Sequence, residues 1–115
     1  MYELTTEREF SAAHCLRGYQ GDCAQLHGHN YRVQVTVYGD QLNELGMLMD
    51  FGDLSELCRQ VLEELDHGHL NEIPPFDSIN PTSENLARYL YQRIAERLPE
   101  QVRVKAVTVY ESARS

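Results

Sequence analysis

A single lysine, Lys105, stands among the ten basic residues, and eighteen acidic ones outnumber them to give a formal net charge of −8. A chain so short of positive charge has no electrostatic footprint for nucleic acid or an anionic membrane surface, and both are excluded as partners. A small anionic substrate stays within reach, because a metal ion held by neutral imidazoles is itself a strong local positive charge. No apolar run approaches the roughly 18 residues of a membrane-spanning helix. Met1-Tyr2-Glu3-Leu4 also lacks the basic and apolar regions of a signal peptide. Cys15, Cys23 and Cys58 are odd in number and include no C-x-x-C pair, so the expectation is a reduced, cytosolic setting. Repeats, low-complexity tracts and a domain linker are missing too. The 115 residues are expected to form one domain, 1–115. A chain of this size buries roughly two thirds of its unfolded surface. With 42% hydrophobic residues and a mean hydropathy of −0.50, part of its stability is expected from contacts between subunits.

What is present begins with strand patterns. Residues 2–10 alternate Tyr2, Leu4, Thr6 and Phe10 against Glu3, Thr5, Glu7 and Glu9, and run into the small residues Ser11-Ala12-Ala13 before His14. Small side chains there would let the backbone pass close to a site. Residues 15–28, with Gly18, Gly21 and Gly28, read as a loop carrying Cys23. From His29 to Tyr38 a second alternation sets Tyr31, Val33, Val35 and Val37 on one face, and His29 shares that face. Gly39-Asp40 opens a hairpin-like connection that closes near Gly46, with Met47–Asp50 as a short returning strand.

Asp53-Leu54-Ser55-Glu56 has the form of a helix start with Asp53 as N-cap. The stripe Leu54, Leu57, Cys58, Val61, Leu62 and Leu65 follows at helical spacing, which makes Cys58 a core residue. A second helix starts at Thr82, carries Leu86, Leu90, Ile94 and Leu98 as its apolar line and ends at Pro99. Val102–Glu111 alternates with apolar residues on both faces, as an internal strand would. The order of elements predicts an α+β layer fold.

The chemistry concentrates in Cys23-Ala24-Gln25-Leu26-His27-Gly28-His29-Asn30. His27 and His29, two apart on a strand, point the same way, and His14 ends the preceding strand. Three imidazoles with an open fourth position would make a catalytic zinc site, although any three of His14, His27, His29, His67 and His69 have the right chemistry. Two surface histidines around a turn glycine would give the same H-G-H pattern. Cys23 could be a fourth ligand, or a nucleophile or base beside the metal. Asp66-His67 has the makings of an oriented general acid or base, and equally of a polar helix C-terminus. Glu84 reads as a helix-dipole complement, Cys15 as a packing residue, and Asn30 and Arg32 as ordinary strand positions.

F-S-A-A-H (10–14), C-x3-H-G-H-N (23–30), D-F-x-x-L (50–54), L-D-H-x-x-L-N (65–71), N-P-T-S-E (80–84) and V-Y-E (109–111) occur in that order. Together, over nearly the whole chain, they resemble the 6-pyruvoyl-tetrahydropterin synthase superfamily. The three-residue gap between Cys23 and His27 is similar to its 6-carboxy-5,6,7,8-tetrahydropterin synthase branch. The resemblance implies zinc on His14, His27 and His29, Cys23 as catalytic thiol, and Asp66 with His67 as a proton relay. It implies that Glu111 anchors a pterin through paired N–H donors, with Thr82 and Ser83 helping to hold the ring. It further implies the tunnelling (T) fold: an antiparallel sheet with two helices on one face, its barrel completed by oligomerisation into a homohexamer of two trimers. The activity implied is zinc-dependent conversion of 7,8-dihydroneopterin triphosphate to 6-carboxy-tetrahydropterin, acetaldehyde and triphosphate, a step toward queuosine. Two alternatives accompany it: 6-pyruvoyl-tetrahydropterin synthase activity, which stops at elimination, and a metal- or pterin-binding module without turnover. His69, two residues beyond His67, is placed to take over or perturb the relay.

Overall fold

The structure, a computed structural model, describes residues 1–115. Two long strands form its spine: β1 (Tyr2–His14) and β2 (His27–Gly39) pair antiparallel along their whole length, with Phe10 opposite Tyr31 and His14 opposite His27. Helix α1 (Phe51–Glu63) follows, then a two-residue strand β3 (Gly68–His69), helix α2 (Ser83–Ala95) and strand β4 (Arg103–Tyr110). The sheet order is β3-β1-β2-β4, with β3 parallel to β1 and the other pairings antiparallel. The expected α+β class with two helices on the sheet is what the chain forms.

The core lies between the sheet and the helices. Phe10, Tyr31, Val33, Val35 and Val37 from the sheet meet Leu54, Val61 and Leu62 of α1 and Leu86, Leu90 and Ile94 of α2. Both helices are amphipathic, and each buried Leu or Ile in such a stripe is worth roughly 1.5–3 kcal/mol over an exposed one. Cys58 is buried in this layer, as its place in the stripe required. The Glu64 carboxylate just past α1 ties the helices together, accepting from Arg93 and Arg97 and from the Tyr89 hydroxyl.

Three expectations about elements need correction. The N-cap of α1 is Asp50, not Asp53: the Asp50 carboxylate accepts from the backbone N–H groups of Gly52 and Asp53, and this places Asp53 inside the first turn. Met47–Asp50 forms no strand, because its backbone has no partner in the sheet. Its place is taken by the unforeseen β3, which extends the sheet beyond β1. The last strand is an edge strand of this chain, and its two-sided apolar pattern has another cause. Val37 pairs with Val104 but Thr36 pairs with Ala106, so Lys105 is an extra residue on β4. This β-bulge switches the parity of the strand. Val102 and Val104 face the core before it; Val107 and Val109, opposite Val35 and Val33, face the core after it.

Candidate metal centre and active site

The end of the β1–β2 ladder brings three imidazoles together. His14 and His27 are directly opposed, His29 stands opposite Ala12, and the ring centroids lie 4.6–5.0 Å apart in edge-to-face arrangements. The strand reading holds two residues earlier than expected, since β2 begins at His27 rather than His29. His14 is 1% exposed while His27 and His29 are half-buried.

The hydrogen bonds at the backs of the rings decide what the fronts can do. His14 Nδ1 lies 2.8 Å from the Pro81 carbonyl and His27 Nδ1 lies 2.7 Å from the Gln25 carbonyl. A carbonyl only accepts, so each Nδ1 carries the proton and each Nε2 is left with a lone pair. The two Nε2 atoms nonetheless face each other at 3.0 Å. Two lone pairs at that distance repel unless something positive is shared between them. One ligand atom from each of the three rings lies within 4.8 Å of the others. Nitrogens bound tetrahedrally to zinc at 2.0–2.1 Å are about 3.3 Å apart. The donor set therefore fits a divalent metal, with backbone carbonyls orienting the ligands from behind. Burial lowers the His14 pKa below its ordinary 6.5, and His27 and His29 push the same way against the Pro81 carbonyl and Glu111. A neutral imidazole is the form a metal ligand needs.

Glu111 follows the end of β4, where the bulge at Lys105 has turned it toward the same face. One of its carboxylate oxygens lies 3.7 Å from Nε2 of both His14 and His29. The nearby carboxylate and, more strongly, burial raise the pKa of Tyr31, whose hydroxyl lies 3.1 Å from His14 Nδ1.

A cleft of about 350 Å³ next to His29 is also lined by Ser11, Asn30, His67 and Gly68, and Ser11 and Asn30 project from the face of the ladder opposite the imidazoles. Ala12, Ala13 and Gly28 line it as well. Asn30 lines this cleft, its amide oxygen accepting from Ser11 Oγ at 2.6 Å.

The exposed His67 is held in an uncommon conformation, with φ of 59° at a non-glycine residue. Its N–H donates to Ser11 O at 2.6 Å, and Ser11 N–H donates to Asp66 Oδ1 at 2.9 Å. The same carboxylate oxygen is 3.1 Å from His67 Nδ1. The Ser11 N–H, together with His67, holds the Asp66 pKa below its ordinary 3.8. Asp66 and His67 are therefore a structured pair, beyond the polar helix end that sequence allowed. His69 sits apart with Glu72, Nδ1 to carboxylate at 3.4 Å.

The remaining candidate residues lie on other elements. Cys23 is exposed, in a single 3-10 turn (Asp22–Ala24) of the β1–β2 loop, and stands outside the imidazole group. Thr82 is the N-cap of α2, its hydroxyl accepting from Asn85 N–H at 3.1 Å, and Ser83 is the first residue of that helix. Both follow directly on Pro81, the residue that orients His14. Sequence reasoning passed over the Pro81 carbonyl, whose one available signal is its place inside the ordered motif N-P-T-S-E.

Comparison with known proteins agrees with this geometry. Residues 3–115 match the family described as 6-pyruvoyl tetrahydropterin synthase. A 6-carboxy-5,6,7,8-tetrahydropterin synthase from a Synechocystis species is 39% identical over 101 residues, covering 84% of this chain and 77% of that protein. A dihydroneopterin monophosphate aldolase from Pyrococcus furiosus is 36% identical over 102 residues, covering 89% and 82%. Among solved structures, the 6-pyruvoyl tetrahydropterin synthase of Caenorhabditis elegans superposes with a TM-score of 0.71 at 27% identity, covering 98% of each chain. That of Plasmodium vivax, at 24% identity, shares the fold with a TM-score of 0.80 over 99% of this chain and 93% of that one. With three clustered histidines at the end of a β-ladder and a match over almost its entire length, the chain belongs to the 6-pyruvoyl tetrahydropterin synthase family.

Proposed function

We propose that this chain is a zinc-dependent 6-carboxy-5,6,7,8-tetrahydropterin synthase. It would convert 7,8-dihydroneopterin triphosphate and one water to 6-carboxy-tetrahydropterin, acetaldehyde and triphosphate, early in queuosine formation. The observation that carries the reading is the His14–His27–His29 cluster, with the structured Asp66–His67 pair in the same chain. The three-residue gap between Cys23 and His27, and the Synechocystis relative's name, favour this branch of the family. The three cysteines, none in a disulfide, suit a reducing cytoplasm.

Zinc held by His14, His27 and His29 would supply a Lewis acid for substrate oxygens and for the charge that develops beside the ring. The chain's own groups account for the rest. Asp66 stays ionised and keeps the proton of His67 on Nδ1, which leaves Nε2 to take or return a proton. Cys23 would be the second proton-transferring group. The Glu111 carboxylate would receive the paired N–H donors of the pterin, with Thr82 and Ser83 backbone groups helping to hold the ring. Cys23 is exposed in the single chain, and β4 offers an unpaired strand edge. Both fit a domain, 1–115, whose sites are completed in a homohexamer.

Product analysis with 7,8-dihydroneopterin triphosphate tests the assignment. Acetaldehyde and 6-carboxy-tetrahydropterin are expected. A pyruvoyl product without acetaldehyde would make the chain a 6-pyruvoyl-tetrahydropterin synthase, and no turnover a binding module. Turnover confined to the monophosphate would favour the aldolase activity named for the Pyrococcus furiosus relative.

A further inference from the structure

Two of the ordered motifs end or begin in asparagines that the proposed chemistry does not use: Asn71 closes L-D-H-x-x-L-N and Asn80 opens N-P-T-S-E. Their side chains do the same thing at neighbouring places. Asn71 Oδ1 accepts from Cys15 N–H at 2.9 Å, and Asn71 Nδ2 donates to Cys15 O at 2.9 Å. Asn80 Oδ1 accepts from Arg17 N–H at 2.9 Å, and Asn80 Nδ2 donates to Arg17 O at 2.9 Å. A primary amide carries one acceptor and a donor in the spacing of a backbone peptide. Each asparagine therefore acts as a one-residue strand that satisfies both polar groups of a loop residue.

The residue between the two clamps is Leu16, and its N–H donates to the Cys23 carbonyl at 2.9 Å. Without the clamps, residues 15–17 would be free loop backbone, and that bond would hold Cys23 to nothing fixed. With them, the three residues between Cys23 and His27 are tied at both ends, by Leu16 and by the His14–His27 pairing. The clamps are themselves anchored. Asn80 O accepts from the Asn85 side chain in the first turn of α2, and the Arg17 guanidinium donates to Phe76 O at 2.8 Å.

We propose that Asn71 and Asn80 are positioning residues for Cys23, fixing the thiol's place through the backbone of residues 15–17. The assignment rests on the proposed catalytic role of Cys23. A thiol displaced by an ångström loses much of its rate advantage while metal and substrate still bind.

The zinc-loaded protein tests this with Asn71→Ala, Asn80→Ala and, should Asn80→Ala fold poorly, Asn80→Asp, which keeps only the acceptor. In each, kcat with 7,8-dihydroneopterin triphosphate should fall about 10- to 100-fold, with KM and zinc content unchanged. Added to Cys23→Ala, either substitution should cause no further loss, because residues acting through one group are not additive. Amide exchange at Leu16 should quicken while that of Val61 in the core does not. Unchanged kcat, loss of zinc, or an equal further loss in the Cys23→Ala background would overturn the inference. Wild-type turnover in Cys23→Ala together with faster Leu16 exchange would instead overturn the catalytic role of Cys23 and leave the clamp standing as a device for loop order alone.

Discussion

Glu111 and His29 stand 3.7 Å apart, carboxylate oxygen to Nε2, and the same oxygen is equally far from His14. A carboxylate at this point either faces the substrate across the metal centre or helps close it.

Glu111→Gln separates these roles. As a pterin anchor, Glu111 makes hydrogen bonds from a charged group, so its loss should weaken substrate binding by about 1.5–3 kcal/mol, roughly 10- to 150-fold in KM. Zinc content measured by atomic absorption should stay near one per chain. Loss of the metal, or a collapsed kcat at unchanged KM, would contradict anchoring.

Single histidine substitutions should divide into two classes. His14→Ala, His27→Ala and His29→Ala should each lose zinc, His14→Ala also losing stability because its ring is buried under Pro81. His67→Ala should keep the metal and lose turnover by ~10²–10⁴-fold, the scale for a missing general acid or base. Full zinc occupancy in His14→Ala would dismantle the ligand assignment.

Cys23→Ala should keep one zinc per chain and still bind substrate while turnover falls by ~10²–10⁴-fold. The thiol lies in an exposed turn outside the imidazole cluster, so its removal opens no cavity and costs no ligand. Metal loss on this substitution would make it a ligand instead.

Cys58 should set an alkaline limit to stability. Burial pushes its thiol from 9.0 up to about 11, with Arg8 opposing weakly. A raised pKa means that the folded state keeps the proton after the unfolded chain has lost it. The stability is therefore complete below pH 9 and falls as pH rises from 9 toward 11, by up to about 1.4 kcal/mol per pH unit from this group. Denaturant unfolding at pH 8 and pH 10.5 measures it. Cys58→Ala should be less stable at pH 8, by about 1 kcal/mol or more for the lost packing. It should also lose less than the wild type between the two pH values. Identical pH dependence in the two proteins would show that the thiol titrates freely in the fold.

The fold and the centre of the site were legible where a residue's role follows from period. Parity put His29 with Tyr31 and the valines, helical spacing put Cys58 in the core, and Thr82 capped α2 as its hydroxyl suggested. What escaped was set by contacts distant in sequence. Asp50 and Asp53 are both competent caps, and Phe51-Gly52 between them looks unlike a helical turn. β3 is too short to carry a pattern and exists because Ala12 and Ala13 offer an edge to it. The Asp66–His67 geometry needs Ser11, fifty-five residues away from Asp66 in the chain. Asn30 alternates correctly as a strand residue, and only its neighbour Ser11 reveals the cleft it lines.

The bulge in β4 makes chain length at one point matter more than side-chain identity. Lys105 is exposed and its charge is dispensable to the core, so exchange for another strand-compatible residue should pass almost unnoticed. Adding a residue beyond it is a different kind of change. With one residue more between Ala106 and Val107 and no second bulge to absorb it, Val107, Val109 and Glu111 would all move to the outer face. A protein with every site residue still present in its sequence would then hold its carboxylate on the wrong side of the sheet. In this family member the distance along the chain from Ala106 to Glu111 is itself part of the proposed site.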